Sequence, residues 1–320
     1  MSDMSGVIEN VLGSLYAGLT IGAIYGLMCV GLALIFSVMR VINFAQGELL
    51  VGGMYASLFL FGSTGIGMVL GPYAGPIVSA LLGGVVVFVL GIVLYALLMR
   101  HVSGMRAAAG DGDEHNAQLT LTLGISLVLS NGGLLLFGSM PRSLRTPMSS
   151  NAWPFAPFGG DDIMLFLNQA RTVAAVISVL VMIACALFVA RTRTGKTLRA
   201  AADNQEATTY MGIDVNRAFM LAFGGGAAVT GIAGGLVAMY LPFEPYTGIE
   251  FIMVMYAGVV LGGIGSVSGA FLGGLTIGLV QQLSTLVLPQ QLQNAAVFVI
   301  FLLVILLRPQ GFFGKVIERV

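Results

Sequence analysis

Charge is scarce in this chain. Its 320 residues carry 14 basic and 14 acidic side chains, 9% of the total, against about 25% in an ordinary soluble domain. So few charges cannot cover a water-soluble globule, whose surface is expected to be roughly 25 to 35% charged, and a soluble enzyme is excluded. The charges sum to zero, so no excess of positive charge is there to meet nucleic acid. Cysteine is nearly absent: Cys29 and Cys185 stand inside apolar runs and read as small core hydrophobes, too few for a disulfide scaffold. His101 and His115 have no cysteine beside them, and no His, Asp and Glu cluster marks a catalytic centre; neither catalysis nor a bound metal is expected of this chain. Met1 to Asn10 holds Asp3 and Glu9 but no Lys or Arg, unlike the start of a cleaved signal peptide, so the first apolar run is expected to stay as a membrane helix.

Apolar sequence fills the rest. The chain is 57% hydrophobic, with a mean hydropathy of +0.96. A spanning helix needs about 20 apolar residues, and the charge-free stretches divide by that length. Asn10 to Met39, Asn116 to Pro141, Thr172 to Ala190 and Ala218 to Phe243 hold one crossing each. Leu49 to Met99 holds two, broken where Gly71, Pro72, Gly75 and Pro76 interrupt it. Phe251 to Leu307, divided by the glycines at 262 to 269 and by Pro289, holds two or three.

Lys and Arg gather in cytoplasmic loops, which decides the count. With Arg191, Arg193, Lys196, Arg199 and Arg217 inside, three crossings in the last run put eleven basic residues inside and leave Arg142, Arg145 and Arg171 outside. The expectation is an all-α polytopic bundle, one membrane domain over 1–320 of eight to nine spans, its N-terminus outside and its C-terminus inside. The spans fall near 11–38, 49–70, 77–99, 117–138, 172–190, 218–241, 251–267, 269–288 and 293–307. The seventh is short for a straight crossing and reads as a broken helix. The loop 241–250, with Glu244 and Glu250, falls outside, where Trp153, Phe155 and Phe158 resemble an interfacial belt.

The 45 glycines are patterned. Gly18, Gly22 and Gly26 recur every four residues, as do Gly265, Gly269 and Gly273, with Gly274 and Gly278 as a second stripe. Such spacing keeps small residues on one face, where backbones approach closely; this reads as packing surface rather than pore lining. Two nucleotide motifs fail. Thr194-Gly195-Lys196-Thr197 has Ala190 where a phosphate-binding loop needs glycine, and Gly263-Ile264-Gly265 has Ser268 where a third glycine belongs.

The largest polar island is 191–217, whose centre from Lys196 to Met211 reads as a helix stopped by Gly212, with Asp214 capping the next span. On composition alone it is a solvated amphipathic connector, with Arg199 and Asp203 paired on its surface. Asn43, Gln46 and Glu48 crowd the start of the second span, and Asn131, Gln281 and Gln282 lie at membrane depth. Polar groups there face a cavity or a partner; Glu48 is read equally as an interfacial anchor, and the last three as interhelical hydrogen-bond groups ahead of solute contacts.

Glu206-Ala207-Thr208 followed by Gly212 matches the Glu-Ala-Ala-x-x-x-Gly signature of ABC importer permeases, with Thr in place of the second Ala and without the downstream Ile-x-Leu-Pro. Arg40-Val41-Ile42-Asn43-Phe44-Ala45-Gln46-Gly47-Glu48, Thr120 to Ser126, Leu198 to Asn204 and Gly262 to Ala270 complete the likeness. From about residue 11 to 310 the chain resembles the branched-chain amino acid permeases of ABC importers, the LivH type. The resemblance implies a bacterial inner-membrane subunit without catalysis of its own. Its partners would be a second permease subunit, two cytoplasmic ATPases holding ATP and magnesium, and a periplasmic solute-binding protein that Glu244 and Glu250 could meet. The 197–212 helix would be the coupling helix, with Arg199 and Asp203 on its surface, Glu206 contacting the ATPase, Ala207 and Thr208 permitting close approach and Gly212 turning the chain back. A permease for urea, a short amide or a sugar is the alternative. An ion-coupled transporter would need carboxylates inside the spans, which are charge-free.

Overall fold

The computed structural model describes residues 2–103, 111–156, 164–263, 265–308 and 310–313. Arg106, Phe158, Ile264, Lys315, Arg319 and the side chain of His115 lie outside the described residues. The chain is almost entirely helical: α1 Ser2–Met39, α2 Gln46–Gly62, α3 Ile66–Leu94, α4 Arg100–Ser103, α5 Asp111–Phe137, α6 Pro147–Ser150, α7 Gln169–Arg191, α8 Arg193–Asp203, α9 Gln205–Tyr210, α10 Val215–Val237, α11 Gly248–Gly262, α12 Val267–Ser284 and α13 Gln293–Leu307. A small antiparallel hairpin, β1 Ala152–Phe155 with β2 Leu165–Asn168, carries the exposed Trp153 and Phe155. Helices dominate because hydrocarbon offers backbone groups no partner and a helix satisfies its own.

Among the described residues six helices are long and apolar enough to cross a membrane: Gly6–Met39, Ile66–Met99, Asn116–Phe137, Gln169–Arg191, Val215–Val237 and Val267–Ser284. The other apolar helices are shorter. The 17 residues of α2 and the 15 of α11 make about 26 and 22 Å of helix, less than the roughly 30 Å hydrocarbon core. Several expected boundaries move. The break after the second span falls at residues 63–65, not at 71–76; Gly71 (φ 75, ψ 179) instead kinks α3 ahead of Pro72, which lacks an N–H and pushes its predecessor out of helical geometry. The seventh span ends at Gly262 rather than 267, and its last carbonyls are closed from outside the helix: Phe312 N–H donates to Leu261 O at 2.8 Å and Phe313 N–H to Gly262 O at 3.2 Å.

Glycine sets how closely the helices approach. A Cβ on Gly22 would lie 2.7 Å from the carbonyl oxygen of Leu275, and one on Gly26 2.7 Å from that of Phe271. Gly18 is pressed on Leu279 in the same α1–α12 contact, where Gly274 and Gly278 answer with Gly26 and Gly22. Gly269 and Gly273 face Gly262 and Gly258 of α11. Gly265 does not belong to that stripe: it stands in the turn before α12 at φ 91, with nothing within 4 Å of a built Cβ.

These contacts repeat. Helices α1, α2 and α3 answer to α10, α11 and α12: α1 packs on α12 as α10 packs on α3, α2 on α3 as α11 on α12, α2 on α10 as α11 on α1. The sequence carries matching fragments: Met54-Tyr55-Ala56 and Met255-Tyr256-Ala257, and Ala80-Leu81-Leu82-Gly83-Gly84 and Ala270-Phe271-Leu272-Gly273-Gly274. Gly83 nestles on Ser57 as Gly273 does on Gly258, and Gly84 on Ala228 and Ile232 of α10 as Gly274 does on Tyr25 and Gly26 of α1. The two units run in opposite directions. Gly31 of α1 meets Gly226 of α10, while Val38 and Met39, farther along α1, share a cluster with Ala218 and Phe219, earlier on α10. The core is an inverted repeat, and its two short helices meet at their starts, where Gly47 and Gly248 lie backbone against backbone.

Gly22→Val is expected to lower stability by about 1–3 kcal/mol through overpacking against the α12 backbone, measured by thermal unfolding in detergent. Gly13→Val, on the same helix with nothing within 4 Å of its built Cβ, is expected to change it by less than about 0.5 kcal/mol.

Candidate functional site

Two regions gather the polar residues. The first is the junction between α1 and α2. After Met39 the chain leaves the helix at Arg40, the one non-glycine residue at positive φ (56°) among the described residues. It then runs without helix into a buried position, Asn43 being 1% and Gln46 0% exposed. Irregular backbone at such depth is tolerated only inside protein, with its polar groups paired. Here Asn43 Oδ1 accepts from the Ala45 N–H at 3.1 Å, and Asn43 Nδ2 donates to Gln46 Oε1 at 3.0 Å. Gln46 Nε2 in turn donates to Thr230 Oγ1 of α10 at 2.5 Å. The hydrogen-bonded chain therefore ties one repeat unit to the other. Glu48 is buried within the protein, and its Oε1 accepts from Ser126 Oγ of α5 at 3.4 Å.

The other polar candidates do not join this chain. Asn131 is exposed on α5, donating to Leu127 O at 2.8 Å and accepting from Tyr246 Oη at 3.4 Å. Gln281 Nε2 reaches Asn294 Oδ1 of α13 at 3.1 Å, an interhelical bond, and Gln282 is half-buried beside it on α12. Thr230 completes the junction without having stood out in sequence, since an isolated hydroxyl among glycines and apolar residues reads as packing; Ser126 belongs to the Thr120–Ser126 stretch noted above but carried no role there.

Aromatic rings close over both sides of the junction. Phe44, just before α2, packs on Tyr256 of α11 with ring centroids 5.7 Å apart. Phe243, just before α11, packs edge-on against Tyr55 of α2 at 5.0 Å, and Phe137 stacks on the same tyrosine at 4.0 Å. The Phe243 strand is held by a two-way backbone bridge to Arg142, both bonds 2.8 Å.

The second region is the arm between α7 and α10. A single helix from Lys196 to Met211 is not what forms. Asn204 is extended (φ −151, ψ 109) and splits the arm into α8 and α9, because its side chain caps the second helix by accepting from the Ala207 N–H at 3.0 Å. Thr192 caps α8 in the same way through the Gly195 N–H at 3.0 Å. Leu198 and Ala201 sink into a cluster with Ile35, Val38, Met39, Phe219 and Phe223, which fixes α8 to the bundle. Arg40 Nη2 adds a bond to Ala202 O at 3.3 Å. Arg199 donates to Ala190 O at 3.1 Å, and no Arg199–Asp203 ion pair forms among the described residues; the pair that does form is Asp214 with Arg217, at 3.0 Å.

On α9, Glu206 and Ala207 are exposed, but Thr208 is buried. Its hydroxyl donates back to Ala200 O at 2.9 Å and Asn204 O at 2.6 Å, folding α9 onto α8, so Thr208 cannot offer the close approach expected of it. Tyr210 and Met211 are instead the bare apolar groups, 87% and 80% exposed. Gly212 ends the arm at φ 77, a geometry costly for any side chain, and Asp214 starts α10 by accepting from the Arg217 N–H at 3.1 Å.

Comparison with known proteins gives this geometry a family. The profile of the family described as branched-chain amino acid transport system / permease component matches residues 14–307. The high-affinity branched-chain amino acid transport system permease protein LivH of Escherichia coli K12 is 28% identical over 306 residues, 95% of this chain and 96% of that protein. BraD of Pseudomonas aeruginosa, of the same description, is 28% identical over 309 residues, 96% and 97% of the two chains. A probable LivH of Methanocaldococcus jannaschii is 29% identical over 260 residues, 81% of this chain and 76% of that protein. No solved structure gives a significant match. With the profile matched across nearly its whole length, the chain is a multi-pass membrane protein that belongs to the family of branched-chain amino acid transport permeases.

Proposed function

We propose that this chain is the permease subunit of an ATP-driven importer that carries branched-chain or related amino acids across a bacterial inner membrane. The observation that carries the reading is the arm. A short helix presents Glu206, Ala207, Tyr210 and Met211 to solvent, while the helix before it is packed into the ends of α1 and α10. That is a handle: a load applied to α9 passes through Thr208 to α8, and from α8 to the two central helices. Two partner ATPases hold ATP and magnesium and supply the load. The apolar tip and the carboxylate of α9 are their contact, α9 rather than a continuous 197–212 helix being the docking element, with Arg199 and Asp203 on the solvent side of α8.

In this reading the basic loops lie in the cytoplasm and the N-terminus outside, giving nine crossings in which α2 and α11 are each completed by a buried non-helical segment. Asn43, Gln46 and Glu48, with Thr230, line the route, while Gln281, beside Gln282, ties α12 to α13 and Asn131 ties α5 to the loop at Tyr246. A second permease subunit completes the pathway, and a periplasmic binding protein delivers solute to the outer loop near Glu244 and Glu250. Alternating access is a rigid-body rearrangement of packed units.

Reconstituted with its partners, the importer is expected to take up leucine-class solutes only with ATP and to continue when ion gradients are collapsed; gradient-driven uptake by this chain alone would reject the reading. Glu206→Lys and Gly212→Val are expected to reduce ATPase stimulation several-fold with insertion intact, read by co-purification and ATP turnover.

Gln46→Leu should cost about 1–3 kcal/mol by leaving the Thr230 hydroxyl and Asn43 Nδ2 unpaired. Gln46→Leu with Thr230→Val is expected to recover part of that stability in thermal unfolding while uptake stays depressed. Uptake returning together with stability would reduce the junction to packing.

A further inference from the structure

We propose that the face shared by α5 and the first turns of α11 is the surface that the second permease subunit covers. This rests on the importer reading, which requires such a subunit, and adds where it sits. Other helices turn apolar faces outward: Val85 and Val89 of α3, Leu180 and Leu187 of α7, and Val299 and Leu302 of α13 are exposed, and lipid chains cover such surfaces. The α5 face differs. Thr120, Gly124, Leu127 and Asn131 fall on one side of that helix, and all four are exposed. Asn131 accepts from Tyr246 Oη at 3.4 Å, and a Cβ on Gly133 would lie 3.5 Å from Pro245, so α5 stands beside the segment that enters α11. There Ile249, Glu250 and Met253 continue the exposed surface.

Glu250 decides what can cover it. Charge patterning puts this residue in an outer loop, but the packing of its neighbour puts it deeper. Phe251 lies edge-on against Tyr25 of α1, ring centroids 6.1 Å apart. Tyr25 is about 14 Å along α1 from Tyr16, whose hydroxyl reaches Asn168 O at the start of α7, and about 21 Å from Met39 at the other end. Glu250 is thus at membrane depth, exposed, and without a hydrogen bond or ion pair among the described residues. A carboxylate there faces a bundle interior or water, not lipid. A soluble binding protein stays above the membrane, and the ATPases lie on the side of α9; neither reaches this depth. Only another membrane-spanning chain does. The second permease subunit, meeting α5 and α11 with a polar wall of its own, encloses Thr120, Asn131 and Glu250 between the two chains.

The test uses the importer assembled with its partners in membranes, on a Cys29→Ala and Cys185→Ala background. Benzophenone maleimide is attached at Leu127→Cys or Met253→Cys on the proposed face, and at Val85→Cys or Leu302→Cys on apolar faces; after irradiation the adducts are identified by peptide mass spectrometry. The expected result is that positions 127 and 253 join this chain to the second permease subunit, several-fold above 85 and 302. Adducts at 127 and 253 with lipid alone, with the binding protein or with an ATPase overturn the proposal, as does stronger joining of the second permease from 85 or 302. Glu250→Leu gives a second reading. In the isolated chain it is expected to leave thermal unfolding unchanged or higher, while recovery of the second permease with it and ATP-driven uptake fall several-fold; unchanged recovery and uptake would count against the face. A wild-type assembly that holds both permease subunits but takes up no solute with ATP would instead reject the importer reading, with the cross-links still reporting the face, so the two failures are distinguishable.

Discussion

The whole structure depends on contact between helix backbones at glycine. Lipid chains are as apolar as leucine side chains, so burying apolar surface does not draw helices together inside a membrane; close van der Waals packing does. α1 is the clearest case. Gly18, Gly22 and Gly26 bring it onto α12, and Gly31 brings it onto Gly226 and Thr230 of α10. α10 repeats the arrangement toward α2 and α3 through Gly231, Gly234 and Gly235. Two antiparallel helices, each lined with small residues on more than one face, thus form a central pair that accepts neighbours on both sides. The inverted repeat is the architecture that such a pair permits.

That pair also explains why two short helices are tolerated. Each of α2 and α11 is too short to cross alone, and each follows a non-helical stretch whose backbone must be enclosed by protein. The enclosure comes from the opposite unit: Gly47 rests on Gly248, Gly53 on Gly231 and Gly258 on Cys29. Where enclosure by packing ends, side chains complete it, as Asn43 and Gln46 do by linking the α1–α2 segment to Thr230. The polar junction lies where the two units meet because that is where backbone leaves the helix at depth.

Sequence alone reached the fold class, the glycine stripes of α1 and α12 and the limits of the polar arm, because each rests on local rules of charge, spacing or capping. It missed what depends on distant partners. The repeat is carried by fragments as short as Ala80-Leu81-Leu82-Gly83-Gly84 and its echo at Ala270, separated from the other matching fragments by unequal spacers. Gly265 fits a four-residue spacing but falls outside α12, since Ser266 caps that helix at the Gly269 N–H. Asn204 looked neutral among good helix formers; its side-chain bond to Ala207 N–H outweighs one more turn of helix. Thr230 was invisible because its only signal is Gln46, far away in the chain.

The break at Asn204 changes how force can travel through the arm. A continuous helix would act as one lever, with its tip and its root moving together. Two helices joined at an extended residue are held differently: α8 is fixed by Leu198 and Ala201 among the ends of α1 and α10, and most of α9 faces outward. The Thr208 hydroxyl, bonded to the carbonyl of Ala200 in α8 and to that of Asn204 at the break, limits how far α9 can swing away from α8. Arg40, reaching from the end of α1 to Ala202, brings the last turn of α8 against the segment that carries Asn43. A displacement of α8 thus reaches the buried junction through one strained residue and three side-chain hydrogen bonds, a much shorter path than the length of α10, whose packed glycine faces resist sliding.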